Sequence, residues 1–283
     1  MDEIKRNLDF HQTFKPERNC LNALLTDLPG CTGKTVQEIS VMTGIPTGVS
    51  SGKVVPSIYY LSYMGLLSYA LANKTYEFSY TDLGERVLNE DPGLMEDLSL
   101  LLMHCMLVRS KKGAELWNYI FMSVLPKYHG VISKSNLEQE LQMYFQKNVS
   151  LAPFNGSYTG LFEQIGILNI TTDSYEVMTH RYNSEFIYLY ALVMYEYWDI
   201  WMNSYSIDEQ NEKKISATEI TSPQLEEIGF RYPFGWDTDD EYSVLEALHD
   251  KGIILLNRQM VPFSIRRVYS REEIIELLFS ELC

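Results

Sequence analysis

The chain has 283 residues, and its 38 Asp and Glu residues outnumber its 23 Lys and Arg residues, which gives a formal net charge of −15. This length is enough for one large hydrophobic core or two to three small ones. The negative charge argues against a basic protein that binds nucleic acid through bulk electrostatics. A hydrophobic content of 46% and an aromatic content of 13% exclude a disordered acidic chain.

No targeting or membrane segment is recognisable. The first seven residues lack an apolar stretch, so no secretory signal is expected. The most apolar run, FIYLYALVMY at 186–195, falls well short of the roughly 20 residues that a membrane span needs, and it predicts a buried core helix. A cytoplasmic protein with free thiols is therefore expected, since no CxxC or zinc-finger spacing links its cysteines. They are Cys20, Cys31, Cys105 and Cys283.

A weak internal repeat organises the chain. Three times, a helical pattern ends in a glycine and continues as an apolar strand, a polar turn and a second strand. The glycines are Gly65, Gly166 and Gly252, and glycine adopts the positive φ of a helix C-terminus at little cost. The predicted hairpins pair 66–71 with 75–80, 167–170 with 175–178, and 253–257 with 263–269.

Two helical segments precede each hairpin. They cover 35–42 and 55–64 in the first repeat, 137–145 and 156–165 in the second, and 222–228 and 240–250 in the third. Helix, turn, helix and hairpin is the order of elements in a winged helix. Further helices are predicted over 81–88, 94–108 and 114–124, between the first two repeats, and over 183–202, between the last two.

These patterns predict a mainly α fold, with tandem winged-helix-like modules, each made of helices and a short β-hairpin wing, around a helical core. The predicted boundaries are an N-terminal winged-helix domain at 1–90, a helical linker or core at 91–133, a second winged-helix-like module with the long helix at 134–204, and a C-terminal winged-helix-like module at 205–283.

Short motifs in residues 10–125 resemble the bacterial DUF4007 family and keep its order. They are FHQTF at 10–14, GVSSGKVV at 48–55, IYYL at 58–61, TDLG at 81–84, DP at 91–92, LLMH at 101–104 and WNYIF at 117–121. The resemblance implies a prokaryotic winged-helix protein whose gene often lies beside DNA phosphorothioation or other phage-defence genes. It supplies no catalytic residues. The motif residues of greatest interest are His11, Thr13, His104 and Trp117.

No catalytic, metal or cofactor pattern outweighs its simpler structural explanation. Residues 30–35 resemble the end of a phosphate-binding loop, but Leu28 stands where that loop needs glycine. The five histidines lack the i, i+4 spacing of a helical metal site. His104 lies on an apolar helix face and is expected to be a hydrogen-bonded core histidine. His11 is expected to fix the N-terminal segment through a hydrogen bond, and a catalytic role for it has no support.

Candidate DNA contacts lie on the second helix of the first repeat. Lys53, Ser57 and Tyr60 fall opposite its apolar face, and Ser50 and Ser51 lie at its approach. Such side chains can contact phosphate and sugar. Because the helix offers no Arg, Asn or Gln for bidentate base contacts, weak sequence specificity is expected. Further candidates are the cluster Arg109, Lys111 and Lys112, and Arg266 and Arg267 of the third hairpin.

The acidic charge is concentrated in the third repeat. Residues 205–250 contain twelve Asp and Glu residues but three Lys and Arg residues, and the second predicted helix of the repeat begins with DTDDE at 237–241. That helix would repel DNA phosphates. The hairpin that follows is basic, which predicts internal charge pairing with the acidic helix or a protein partner.

The sequence therefore predicts a non-catalytic DNA-binding or DNA-associated accessory subunit of a bacterial antiphage defence or phosphorothioation-type DNA-modification system. Its expected partners are other subunits of that complex and double-stranded DNA, with no membrane association and no cofactor. Two alternatives remain open, a protein–protein adaptor built from winged helices and a local transcription regulator.

Overall fold

A computed structural model describes residues 7–48 and 51–282, and the chain divides into two compact units, Met1–Met178 and Thr179–Cys283. The first unit contains the first two repeats, and the second unit contains the third repeat. The long helix that the predicted boundaries group with the second repeat lies in the second unit.

The first unit is built from ten helices and six strands within its described residues, with one π-helical turn at Ile120–Val124. The elements in chain order are α1 (Arg18–Thr26), α2 (Leu28–Cys31), β1 (Lys34–Thr35), α3 (Val36–Thr43), α4 (Val54–Tyr63), β2 (Leu67–Ala72), β3 (Thr75–Tyr80), α5 (Asp82–Glu90), α6 (Asp97–Val108), α7 (Glu115–Tyr119), α8 (Leu125–Lys127), β4 (Val131–Ser133), α9 (Lys134–Phe145), α10 (Ala152–Tyr158), β5 (Leu168–Ile170) and β6 (Ser174–Val177).

The second unit repeats the order of strand, helix, helix and hairpin once, after a long helix. Its elements are α11 (Ile187–Met202), α12 (Ile207–Glu212), β7 (Glu219–Thr221), α13 (Ser222–Ile228), α14 (Thr238–Asp250), β8 (Ile254–Asn257), β9 (Ser264–Arg267) and α15 (Arg271–Leu277), with 3₁₀ turns at Ser184–Phe186 and Tyr232–Phe234.

Each repeat contains a small three-stranded antiparallel sheet, in the orders β1-β3-β2, β4-β6-β5 and β7-β9-β8. The three predicted hairpins are therefore confirmed, and so is a mainly helical fold with some β structure. The outer strand that precedes the first helix of each repeat was not predicted. It is only two or three residues long, which is too short to show an alternating pattern.

Local sequence explains where these elements begin and end. The three predicted glycines have φ values of 78°, 60° and 78° ahead of the hairpins. Gly65 and Gly252 directly follow the ends of α4 and α14, but Gly166 follows a run of turns after α10. The predicted helix at 156–165 is therefore wrong in position, since α10 spans Ala152–Tyr158. The first helix of the first repeat begins at a capping box, in which the Thr35 hydroxyl accepts the Glu38 N–H while Glu38 bonds back to Thr35. Ser133 caps α9 in the second repeat by accepting the Asn136 N–H.

Thr81 joins the first hairpin to α5. Its hydroxyl donates to the Gly65 carbonyl over 2.6 Å and accepts the Gly84 N–H over 2.9 Å. Thr81 is thus the N-cap that the sequence predicts, and its side chain connects the start of the hairpin to the start of α5. Gly84 lies against the Leu66 carbonyl, where the space has no room for a Cβ atom.

One helix in each unit is buried on nearly every side. In the first unit, all residues of α6 from Leu98 to Val108 are buried. In the second unit, α11 is buried from Ile187 to Trp198, as expected for the most apolar run of the sequence. Three cysteines, Cys20, Cys31 and Cys105, are free as predicted, and all three are buried. Cys283 lies outside the described residues.

A buried ion-pair cluster lies in the second unit. The Arg231 guanidinium bonds to Glu226 and approaches Glu241 at 3.3 Å. Glu241 is only 7% exposed, and its Oε1 atom has no hydrogen-bond partner among the described residues. Burial outweighs the nearby Arg231 charge and raises the pKa of the Glu241 carboxyl from its ordinary value of 4.5 to about 7.

The second unit should lose stability as pH rises from about 4.5 to about 7. The folded state holds a proton on Glu241 in this range that the unfolded chain has released, so raising the pH costs up to about 3 kcal/mol. Urea unfolding at several pH values should show this loss in the wild type and not in Glu241→Gln, and carbon NMR should place the Glu241 titration near pH 7. A titration midpoint near 4.5 would contradict the assignment.

Candidate nucleic-acid interface

The N-terminal motif folds against α4 through Phe10. Its ring lies 5.0 Å from the Tyr60 ring, 4.8 Å from the Tyr63 ring and 5.7 Å from the Trp117 ring, measured between centroids. Phe10 and Trp117 are almost fully buried. An aromatic cluster of this kind stabilises by apolar burial and by edge-to-face ring contacts, so the motif is part of the core of the first unit.

His11 fixes the path of the same segment. Its Nδ1 atom accepts the backbone N–H of Thr13 over 3.0 Å, which confirms the predicted hydrogen bond. Thr13 itself is exposed and has a positive φ of 74°. Burial lowers the pKa of His11, which favours the neutral ring that can accept this bond.

His104 is the buried, hydrogen-bonded histidine that the sequence predicts. Its Nδ1 atom lies 3.1 Å from the Tyr158 hydroxyl, and its ring packs edge-on against Phe121 at 4.8 Å. Phe121 and Trp117 both contact Phe154 of α10. The motif residues His11, His104 and Trp117 are therefore parts of one aromatic core that joins the first two repeats.

Two of the candidate DNA contacts on α4 are not on the surface. Ser57 is 4% exposed and donates its hydroxyl to the Lys53 carbonyl over 2.7 Å. Tyr60 is 1% exposed and donates its hydroxyl to the Phe14 carbonyl over 3.0 Å, and burial raises its pKa. The prediction that these two side chains touch DNA is wrong, because the N-terminal segment covers the face of α4 on which they lie.

Lys53 and the two serines lie at the start of α4. Lys53 is half-buried, and its Nζ atom bonds both carboxylate oxygens of Glu17 at 2.8 Å, which raises the pKa of the lysine. Its charge is thus already balanced within the protein. Ser51 is exposed, and Ser50 lies outside the described residues.

Ser51 borders a polar groove of about 310 Å³ that lies between the first repeat and the N-terminal motif. The groove combines hydroxyl and amide groups with one ammonium group, and no carboxylate lines it. Lys74, which is exposed at the tip of the first hairpin, supplies the charge. Lys74 and Gln12 could not be recognised as groove residues from the sequence, since Lys74 is a turn residue and Gln12 lies in a motif far away in the chain. The lining residues are Gln12, Thr35, Val36, Gln37, Thr47, Gly48, Ser51, Gly52, Val55 and Lys74.

The predicted cluster at the end of α6 is only partly available. Lys111 and Lys112 are exposed. Arg109 is 7% exposed, and its Nη1 atom donates to the Met106 sulfur over 3.0 Å. The prediction that Arg109 contacts DNA is therefore wrong, because its guanidinium lies inside the protein next to Gly65.

Of the two candidate arginines in the third hairpin, one is exposed and the other is held by contacts within the protein. Arg266 is exposed. Arg267 bonds Asp199 at 2.7 Å and lies 4.1 Å from the centroid of the Trp198 ring, both on α11. Arg258 pairs with Glu246 of α14 at 2.9 Å, which confirms the predicted internal pairing between the basic hairpin and the acidic helix.

Two further properties concern the described part of the chain. No three His, Cys, Asp or Glu side chains of residues 7–48 and 51–282 come together in a way that would hold a metal ion. None of the helices in these ranges has the length and apolar character needed to cross a membrane.

The whole fold is found among solved structures. The crystal structure of SspB has a TM-score of 0.69 to this chain, with 14% identity, and the match covers 96% of this chain and 86% of SspB. The magnesium-ion-bound structure of SspB has a TM-score of 0.70 with the same identity and coverage. The chain shares its fold with SspB. No protein-family model matches the sequence, and no curated protein does.

Replacing Phe10 with Ala should destabilise the first unit by about 3–5 kcal/mol, because it empties the centre of the aromatic cluster. Gln12→Ala, an exposed change two residues away, should alter stability by less than about 0.5 kcal/mol. Chemical denaturation of the full chain measures both. Equal stability of Phe10→Ala and wild type would show that the N-terminal motif is not part of the core.

Proposed function

We propose that this protein is a DNA-associated accessory subunit of a bacterial DNA-modification or antiphage defence system of the phosphorothioation type, and that it acts with partner subunits. The main support is the fold shared with SspB along 96% of the chain. The order of motifs that resembles DUF4007 supports the same role, since that family implies genes beside phosphorothioation genes. The proposal includes membership of that family and a cytoplasmic location.

The three repeats are proposed to be winged-helix modules. Each has a short strand, a capped helix, a second helix, a glycine with positive φ and a β-hairpin, and in each the short strand pairs with the second hairpin strand. This arrangement supports the winged-helix interpretation. In the first repeat the outer face of the second helix is covered, so DNA would meet the polar groove and the hairpin tip at Lys74 instead.

The proposed role is without catalysis. The motif residues that could have carried chemistry have structural contacts that account for them, since His11 holds the N-terminal segment and His104 bonds Tyr158 in the core. SspB has been solved with bound magnesium, but we assign no magnesium site to this chain. An accessory role, in which the protein binds partners without catalysing a reaction, is therefore the simplest function to propose.

A protein–protein adaptor is the second candidate, favoured by the charge of the third repeat. Helix α14 begins with the exposed Asp237, which caps its own helix. Asp239 is also exposed and Asp240 is partly exposed in the first turn, whereas Glu241 is buried. An acidic surface of this kind repels DNA phosphates and attracts basic protein surfaces. The two functions are separable, because DNA binding depends strongly on salt and on Lys74.

Fluorescence anisotropy with a labelled duplex at 50 mM and 200 mM salt tests the proposal. We expect binding at low salt that weakens as salt rises, and Lys74→Ala should weaken binding to all sequences alike and lower the salt slope by about 1. Lys214→Ala, an exposed change in the acidic part of the chain, is the matched control and should have no effect. A regulator would instead bind one sequence far more tightly than random duplex.

Absence of DNA affinity at low salt would overturn the DNA-associated role and leave the adaptor. Incubation with supercoiled plasmid and magnesium tests the absence of catalysis. The plasmid should stay supercoiled, and accumulation of nicked or linear product that scales with protein concentration would show that the protein is an enzyme.

A further inference from the structure

A second polar cleft lies in the first unit, away from the groove beside Lys74. It has a volume of about 600 Å³ and runs between the start of α1 and the turn that follows α10. Two cationic side chains, Lys15 and Arg18, line it together with Asn19 and Gln164. The motifs and helix patterns of the sequence did not single out any of these residues.

Arg18 is oriented by neutral acceptors. Its Nη2 atom donates to the Gln164 side-chain oxygen over 3.3 Å, and its Nη1 atom donates to the Met95 sulfur over 2.9 Å. Gln164 is held in turn, since its amide nitrogen donates to the Asp97 carboxylate over 2.6 Å and to the Met95 carbonyl over 2.9 Å. The guanidinium is therefore fixed in place without being neutralised by a direct carboxylate contact.

Arg18 also keeps an unused donor. Its Nε atom is buried and has no hydrogen-bond partner among the described residues. Because the Nε atom is buried, a ligand in the cleft would be bound by the second hydrogens of the two Nη groups, each of which donates one hydrogen to a protein acceptor. A guanidinium held in a fixed plane is suited to an oxyanion, because its donors form a rigid fork.

Two glycines make room for Lys15. A Cβ atom on Gly156 would lie 2.8 Å from Lys15 Cβ, and one on Gly160 would lie 3.4 Å from its Nζ atom. The lysine stem therefore crosses a surface without side chains, and its ammonium group is exposed at the cleft. Glycine, which has no Cβ atom, allows this close approach between the lysine stem and the backbone.

The charge balance of the cleft is positive but modest. Glu17 lines the cleft, but both of its oxygens are bonded to Lys53 at 2.8 Å. Glu163 is exposed on the other wall, and its negative charge would repel a bound anion. With Glu17 balanced by Lys53, Glu163 is the remaining carboxylate among the described residues that line the cleft, and the Asp97 carboxylate is bonded by Gln164 behind it.

We propose that this cleft binds a phosphate group of the DNA backbone, with Arg18 donating to its oxygens and Lys15 supplying the second positive charge. Arg–phosphate contacts are among the stronger charge-assisted hydrogen bonds, and backbone phosphate contacts set the position of a protein on DNA without reading its sequence. The identity of the ligand as DNA rests on the proposed function. A free phosphate compound is the other source of the same chemistry.

The test uses the full chain and three variants, Lys15→Ala, Arg18→Gln and Glu163→Gln, with Lys214→Ala as the control for the loss of one positive charge elsewhere. Duplex binding is measured by anisotropy across a salt series. Lys15→Ala should lower affinity roughly tenfold, as loss of one charge-assisted contact implies, and should reduce the salt slope by about 1. Glu163→Gln should raise affinity, which no loss of structure would do.

A second measurement separates the two sources of phosphate. Amide NMR shifts of the wild type are followed as inorganic phosphate is added, with Lys15→Ala for comparison. DNA binding that is equal in wild type, Lys15→Ala and Arg18→Gln would overturn the cleft as a DNA contact while the proposed function stands. Phosphate shifts near Lys15 without DNA binding by the wild type would refute the proposed function and keep the cleft as a phosphate site. No response to either probe would overturn the site.

Discussion

A helix that is apolar all round has to be enclosed on every side, and each unit of this protein is arranged to meet that requirement. Helix α6 has no polar face over Leu98–Val108, apart from Ser99 and His104, and α11 is buried from Ile187 to Trp198. Enclosing such helices releases a large apolar area from water. Other helices pack against them, α4 and α7 against α6, and α13, α14 and α15 against α11.

This requirement shapes where a ligand can bind. The N-terminal segment, which brings Phe10 into contact with Tyr60 and Trp117, closes the core over α4. The Tyr60 side chain that this segment contacts is buried, so the proposed DNA contact does not use it. Polar surface remains at the edges of the module, where Ser51 and Lys74 border one groove and Lys15 and Arg18 border a separate cleft. Under the proposed function, DNA contact at such edges would involve phosphate rather than base sequence.

The parts of the fold that follow local rules could be predicted from sequence. Gly65 and Gly252 follow the ends of their helices because glycine adopts positive φ cheaply, whereas Gly166 is separated from α10 by a run of turns. The alternating strands after these glycines indicated the hairpins. The buried roles of His104 and α11 followed from apolar neighbours. The helical spacing of Ser57 and Tyr60 correctly predicted that they share one face of α4. The Phe14 carbonyl that bonds Tyr60 on this face lies more than forty positions earlier in the chain, so local spacing could not show that the face is covered. Arg109 failed for the same reason, since its exposure depends on how the end of α6 packs.

Thr81 shows how tightly neighbouring parts of the first repeat are joined. One hydroxyl donates to the carbonyl of Gly65 and accepts the N–H of Gly84, while the Thr81 N–H bonds the Leu66 carbonyl. The start of the hairpin and the first turn of α5 cannot separate without breaking either the two bonds from Thr81 to Gly65 and Leu66 or the bond from Gly84 to Thr81. Amide hydrogens of the two elements should therefore exchange with solvent together, as one cooperative opening unit, and the hairpin cannot swing as an independent flexible wing.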